Sequence, residues 1–72
     1  MIIDVRTAEE YRRGNRPGSI NIPLADIRRF HSSDKNTLIR VYCKSGSRSA
    51  QAKELLEEMG YTNVINLGGF DK

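Results

Sequence analysis

The residues with chemistry to offer lie together in Cys43-Lys44-Ser45-Gly46-Ser47-Arg48. Cys43 is the sole cysteine of 72 residues, so it has no disulfide partner within the chain. The run before it, Leu38-Ile39-Arg40-Val41-Tyr42, is rich in β-branched and aromatic residues and reads as a strand. The run after it places Ala52, Leu55, Leu56 and Met59 at i, i+3, i+4 and i+7, one face of a helix. The cysteine thus stands between a strand end and a helix N-terminus, where free amides and a positive partial charge favour an anion. Lys44 and Arg48 add cationic charge. A thiol in such a place ionises more readily than a free one, and the thiolate is the nucleophile. Ser45, Gly46 and Ser47 are small enough for the backbone to curl so that several amides converge on one point, an anion nest. Arg48 falls in the first helical turn, where a cation opposes the helix dipole unless an anion or a carboxylate answers it. No general base is needed for a nucleophile that is already ionised, and no histidine stands near the loop. An inert, buried strand cysteine is the bland alternative, but it leaves the Gly/Ser loop between two regular elements without a purpose.

The elements that must position this loop follow from the rest of the chain. Met1 to Val5 is a short apolar run with Asp4 near its end, consistent with a buried strand. Thr7-Ala8-Glu9-Glu10 has the spacing of a capping box and opens a short helix to about Arg13, with Gly14 at its left-handed end. Pro17-Gly18 turns into a second short strand, Ser19-Ile20-Asn21-Ile22, which Pro23 stops. Leu24, Ile27 and Phe30, at i, i+3 and i+6, predict a second short helix to about His31. Residues 32–37 are polar and form a surface loop. After the long helix Gly60 is the cap, Asn63 to Leu67 the last strand, and Gly68-Gly69 a turn. Tyr11, Phe30 and Leu67 are expected in the core, and His31 at a helix end. Alternating strands and helices imply a parallel sheet with its ligand site beyond the carboxyl ends of the strands. Cys43 and Asp4-Val5-Arg6 both fall at such ends. Arg6 and Glu10 are four residues apart, so an ion pair on the first helix is expected.

Composition bounds the rest. Net charge is +3, from twelve basic and nine acidic residues, with no like-charge block longer than Arg12-Arg13 or Arg28-Arg29. Aromatic residues are few and alternate with no basic stripe, so a nucleic-acid surface is not expected; the surplus charge suits small anions. No apolar run approaches the length of a membrane span, and the opening lacks the charged and apolar regions of a signal peptide. A lone thiol fits any redox compartment. A chain this short buries only about 60% of its unfolded surface, and it lacks a covalent staple.

The loop Tyr42-Cys43-Lys44-Ser45-Gly46-Ser47-Arg48-Ser49 resembles the active-site loop of rhodanese-type sulfurtransferases. Ile3-Asp4-Val5-Arg6-Thr7-Ala8-Glu9-Glu10-Tyr11 is similar to that family's early D-V-R-x-x-x-E-[FY] motif. Pro17-Gly18-Ser19-Ile20-Asn21-Ile22-Pro23 is similar to its P-G-A-x-N-I-P motif, and Met59-Gly60-Tyr61 and Asn66-Leu67-Gly68-Gly69-Phe70 to its later glycine motifs. These segments keep the family's order over nearly the whole chain, with the small single-domain rhodaneses of the phage-shock-protein-E type as the nearest likeness. The resemblance implies a small α/β three-layer sandwich, a parallel sheet flanked by helices and minimal at both ends, forming one domain over residues 1–72. It implies transfer of sulfur from thiosulfate to cyanide or a thiol through a persulfide on Cys43, with no cofactor or metal. Lys44, Ser45, Gly46, Ser47 and Arg48 would bind substrate. Asp4 and Arg6 would support, the acid orienting the loop through arginine contacts. A monomer is expected. Where many rhodaneses carry a histidine, this chain has Asn15-Arg16.

Two other functions share these features. A related fold in dual-specificity and arsenate-type phosphatases also rings an anion with a cysteine and an arginine, but with five residues between them. Here there are four, which predicts a circle too small for tetrahedral phosphate. The other alternative is a slow or non-catalytic rhodanese module acting as a persulfide carrier or a protein-binding domain.

Overall fold

β-Branched residues set the sheet. A computed structural model describes residues 1–70; Asp71 and Lys72, which follow the Gly68-Gly69-Phe70 motif, lie outside the described residues. The strands are β1 (Ile2–Asp4), β2 (Ser19–Asn21), β3 (Ile39–Cys43) and β4 (Val64–Gly69), all parallel in the order β2-β1-β3-β4. The helices are α1 (Ala8–Arg12), a 3₁₀ helix at Leu24–Arg29, and α2 (Ser47–Glu58). Central strands buried on both faces are expected to be apolar without strict alternation, and β1 and β3 supply Ile3, Ile39, Val41, Tyr42 and Cys43, all fully buried.

The two faces of the sheet differ. Ile3, Ile39 and Val41 join Ile27, Ala52, Leu56, Tyr61 and Val64 in one apolar cluster beneath α2 and the 3₁₀ helix. Burying each large aliphatic side chain stabilises the fold by about 1.5–3 kcal/mol. Leu56→Ala would remove one of the deepest, at a cost of about 2–5 kcal/mol. On the opposite face Asp4 and Tyr42 are register partners. Phe70 packs on the Tyr42 ring, and the Tyr42 hydroxyl accepts the Arg16 N–H at 2.9 Å. That face is closed by polar and aromatic groups.

The capping box forms as the spacing requires: Thr7 Oγ1 accepts the Glu10 N–H at 3.2 Å, and Glu10 Oε1 accepts the Thr7 N–H at 3.0 Å. Two expectations need correction. The second short helix is 3₁₀ and stops at Arg29; Leu24, Ile27 and Phe30 are three apart, the period of a 3₁₀ helix rather than of an α-helix. Gly68-Gly69 is not a turn but the end of β4, paired with Tyr42 and Cys43. The register slips between Val41 and Tyr42, leaving Leu67 as the extra residue of a bulge. The two glycines serve different ends: Gly68 has a left-handed φ of 89°, whereas a Cβ on Gly69 would run into the Lys44 carbonyl oxygen, so only glycine there lets the loop lie on the strand. No helix among the described residues is long and apolar enough to cross a membrane.

Candidate active site

β3 ends at Cys43, and the chain turns through Lys44-Ser45-Gly46 into α2. Gly46 is the residue that caps α2, with φ of 103°, a left-handed conformation that costs glycine little. Glycine has no side chain to accept the orphan amides of the first turn. The cysteine sulfur takes that role. Cys43 Sγ accepts the Gly46 N–H at 3.0 Å and the Ser49 N–H at 3.3 Å, and lies 3.4 Å from Ser49 Oγ. Burial pushes the thiol pKa up, but bonds from the Ser49 hydroxyl and the amides of Ser49, Gly46 and Ser45 outweigh it, so the group ionises below its ordinary range. The donors favour the charged form, which is what a sulfur nucleophile requires. Cys43 is wholly buried, while Lys44, Ser45 and Ser47 on the outside of the loop are exposed.

The two arginines of the early motif and the loop find different partners from those the spacing implied. Arg6 does not pair with Glu10. It makes a forked, buried bond to Asp4, with Nη2 to Oδ2 at 2.7 Å and Nε to both oxygens at 3.0 Å, and it also donates to the Gly14 carbonyl at 2.6 Å. The guanidinium lies 4.5 Å from the centre of the Phe70 ring and 5.7 Å from that of Tyr42, where a cation is attracted to the ring face. Asp4 thus holds Arg6 against the aromatic pair Tyr42 and Phe70. Glu10 instead holds Arg48, at 2.7 and 3.1 Å in a bidentate pair. The carboxylate that answers a cation in the first turn of α2 comes from α1. Arg48 first, and then the Thr7 amide, pull the Glu10 carboxyl down to about 2.

The structure therefore brings Cys43, Ser45 and Gly46 together around the sulfur and leaves Arg48 committed to a carboxylate. Ser47 opens α2 with an exposed side chain. Lys44 makes no ion pair among the described residues and lines a cavity of about 280 Å³ with Arg6, Glu10, Arg13, Gly14 and Phe70. Arg16 follows Asn15 in the segment between α1 and β2. Its guanidinium lies 5.1 Å from the Tyr42 ring centre, and its Nε is buried without a partner.

Sequence reasoning passed over three residues here. Ser49 is buried on the α2 stripe that continues through Ala52 and Leu56, and a serine on an apolar stripe was the available signal. Glu10 was assigned to its capping box and to Arg6, not to Arg48. Asn66 in β4 accepts from Ser49 Oγ at 2.7 Å, and nothing local marks it.

A parallel sheet with a cysteine at the end of a central strand, its sulfur capping the following helix, defines a class of domain. The rhodanese-like domain profile matches residues 1–72, and the chain belongs to that family. Thiosulfate sulfurtransferase PspE of Escherichia coli is 49% identical over 70 residues, an alignment covering 93% of this chain and 67% of PspE. The putative sulfur carrier protein YrkF of Bacillus subtilis is 37% identical over 67 residues, covering 92% of this chain and 36% of YrkF. A solved structure described as rhodanese with anions from E. coli superimposes with a TM-score of 0.89 at 46% identity, covering 97% of this chain and 86% of that one.

Proposed function

We propose that this chain is a thiosulfate sulfurtransferase that works through a persulfide on Cys43, with residues 1–72 acting as one catalytic unit. The observation that carries this is the sulfur itself, which faces N–H donors at 3.0 and 3.3 Å instead of lying only among aliphatic groups. The Cys43 thiolate attacks the outer sulfur of thiosulfate. A new S–S bond forms, the sulfur–sulfur bond of thiosulfate breaks, and sulfite departs with the bonding pair. Cyanide or a thiolate then attacks the terminal sulfur and releases thiocyanate or a new persulfide, returning the thiolate. Charge balances at each step, and no external oxidant or reductant enters. Preorganised amides that hold the sulfur as a thiolate also stand ready for the charge of the persulfide.

Lys44 has no carboxylate partner among the described residues and is the residue proposed to draw the dianionic donor to the loop. Arg48 orients α2 through Glu10 rather than by touching substrate. The cavity beside Lys44 is the proposed approach for the acceptor. A phosphatase reading is weakened on two counts: the loop has four residues between Cys43 and Arg48, and the arginine that would clamp phosphate is already engaged. PspE and YrkF, named as an enzyme and as a putative carrier, frame the remaining alternatives.

Mass spectrometry after thiosulfate treatment is expected to show one added sulfur on Cys43, and thiosulfate with cyanide to give thiocyanate in turnover that Cys43→Ser abolishes. Loading without turnover would assign the chain to sulfur carriage. Failure to load, or aryl-phosphate hydrolysis that depends on Cys43, would overturn the proposal.

A further inference from the structure

The hydroxyl of Ser49 has one proton and three acceptors within reach: Asn66 Oδ1 at 2.7 Å, the Gly46 carbonyl at 3.0 Å and Cys43 Sγ at 3.4 Å. It can serve only one well. A neutral thiol is a weak acceptor, and the amide oxygen is nearer. The orientation of the Asn66 carboxamide is fixed by its neighbours. The Gly68 N–H donates to Oδ1 at 2.8 Å, so the atom facing it must be oxygen, and Nδ2 is turned to the Gly46 carbonyl at 3.4 Å. The Leu67 bulge precedes the glycine whose amide makes this bond.

We propose that Asn66 is a positioning residue for sulfur transfer, accepting the hydrogen bond of the Ser49 hydroxyl while the Cys43 sulfur is uncharged and ceding that bond to the sulfur when the thiolate forms. This rests on the sulfurtransferase reading for its purpose, though not for its geometry. With the hydroxyl directed at Asn66 Oδ1, Ser49 Oγ presents a lone pair to the sulfur and can accept the thiol S–H. When the sulfur becomes negative it outcompetes a neutral amide, because hydrogen bonds to charged acceptors are about twice as strong. Asn66 Oδ1 keeps the Gly68 N–H in either state, so neither position leaves a buried acceptor orphaned. The bridging sulfur of a persulfide is uncharged, and discharge of the persulfide makes Cys43 the leaving group. The hydroxyl bond is therefore made as charge develops, the kind of interaction that lowers a barrier instead of tightening a ground state.

The test is the pH midpoint of Cys43 alkylation in Asn66→Ala, Asn66→Asp, Ser49→Ala and the two double variants. Among the described residues the charged groups near the sulfur are Lys44 in the loop, Arg48 on α2 with its partner Glu10 on α1, and the Asp4–Arg6 pair at the end of β1; the variants leave all of them in place. Ser49→Ala loses a donor to the thiolate and should raise the midpoint. Asn66→Ala removes the competitor for the proton and should lower it, an effect absent once Ser49 is alanine. Asn66→Asp keeps the shape, holds the proton more tightly and should raise the midpoint by about one pH unit, with a smaller rise in the Ser49→Ala background. A merely structural Asn66 would scatter the amides on truncation and raise the midpoint whether or not Ser49 is present; that result, or an Asn66→Asp shift indifferent to Ser49, would overturn the proposal. Thiosulfate loading of the wild type tests the sulfurtransferase reading separately, since alkylation needs no sulfur donor.

Discussion

Two carboxylate–arginine pairs stand near the Cys43 loop, and they are built to different ends. Asp4–Arg6 is nearly closed off from water, with side chains 0% and 6% exposed, while Glu10–Arg48 is a quarter to a third exposed, at 24% and 33%. The buried pair joins residues two apart, and its arginine is also spent on the Gly14 carbonyl and the Phe70 ring. The outer pair joins residues 38 apart, on α1 and α2. Pairing chemistry is the same in both. Burial decides that the first cannot be broken cheaply, because a lone charge would remain without water. Exposure decides that the second acts as a tether, screened and replaceable.

The comparison can be broken most severely at Asp4. Asp4→Ala strands the Arg6 charge and is expected to cost about 3–5 kcal/mol in chemical denaturation; a loss under about 1 kcal/mol would mean that water reaches the guanidinium. Gly69→Ala comes next and leaves both pairs intact. The added methyl meets the Lys44 carbonyl, so a cost of about 1–3 kcal/mol is expected together with slower persulfide loading. Unchanged loading would show that the loop does not depend on its glycine floor.

Glu10→Gln sharpens the contrast, with an expected cost of about 1 kcal/mol after discounting for exposure. Its pH dependence has a definite sign. The folded carboxyl sits at about 2 against an ordinary 4.5, so its contribution is complete above about 4.5 and is lost as pH falls towards 2. Acid titration of stability should therefore be shallower over that window in Glu10→Gln than in the wild type. The smallest effect on stability belongs to Lys44→Ala, within about 0.5 kcal/mol. The same change should slow loading by thiosulfate several-fold at low salt and by less at high salt. Equal slowing at both would exclude electrostatic attraction as the role of Lys44.

Much of what has a local cause was legible in the sequence, the Arg6–Glu10 pair expected from spacing being an exception. The Thr7–Glu10 box needs only residues three apart, the α2 stripe only its own period, and the cysteine between strand and helix only the order of neighbours. The 3₁₀ helix was legible too, had a spacing of three been given its own weight. The Gly68-Gly69 doublet was misread because glycine marks both turns and close approaches, and the approaching backbone belongs to another part of the chain.

From the sequence by itself come the alternation of strands and helices, the family resemblance, and Cys43 at a helix start, all consequences of bonding between near neighbours. Tertiary structure alone decided which carboxylate each arginine would meet, that the sulfur would cap α2, and that Asn66 would reach Ser49. Those partners sit on different elements, and charge and hydrogen-bonding capacity say what a side chain needs without saying which distant residue the sheet register will bring to it.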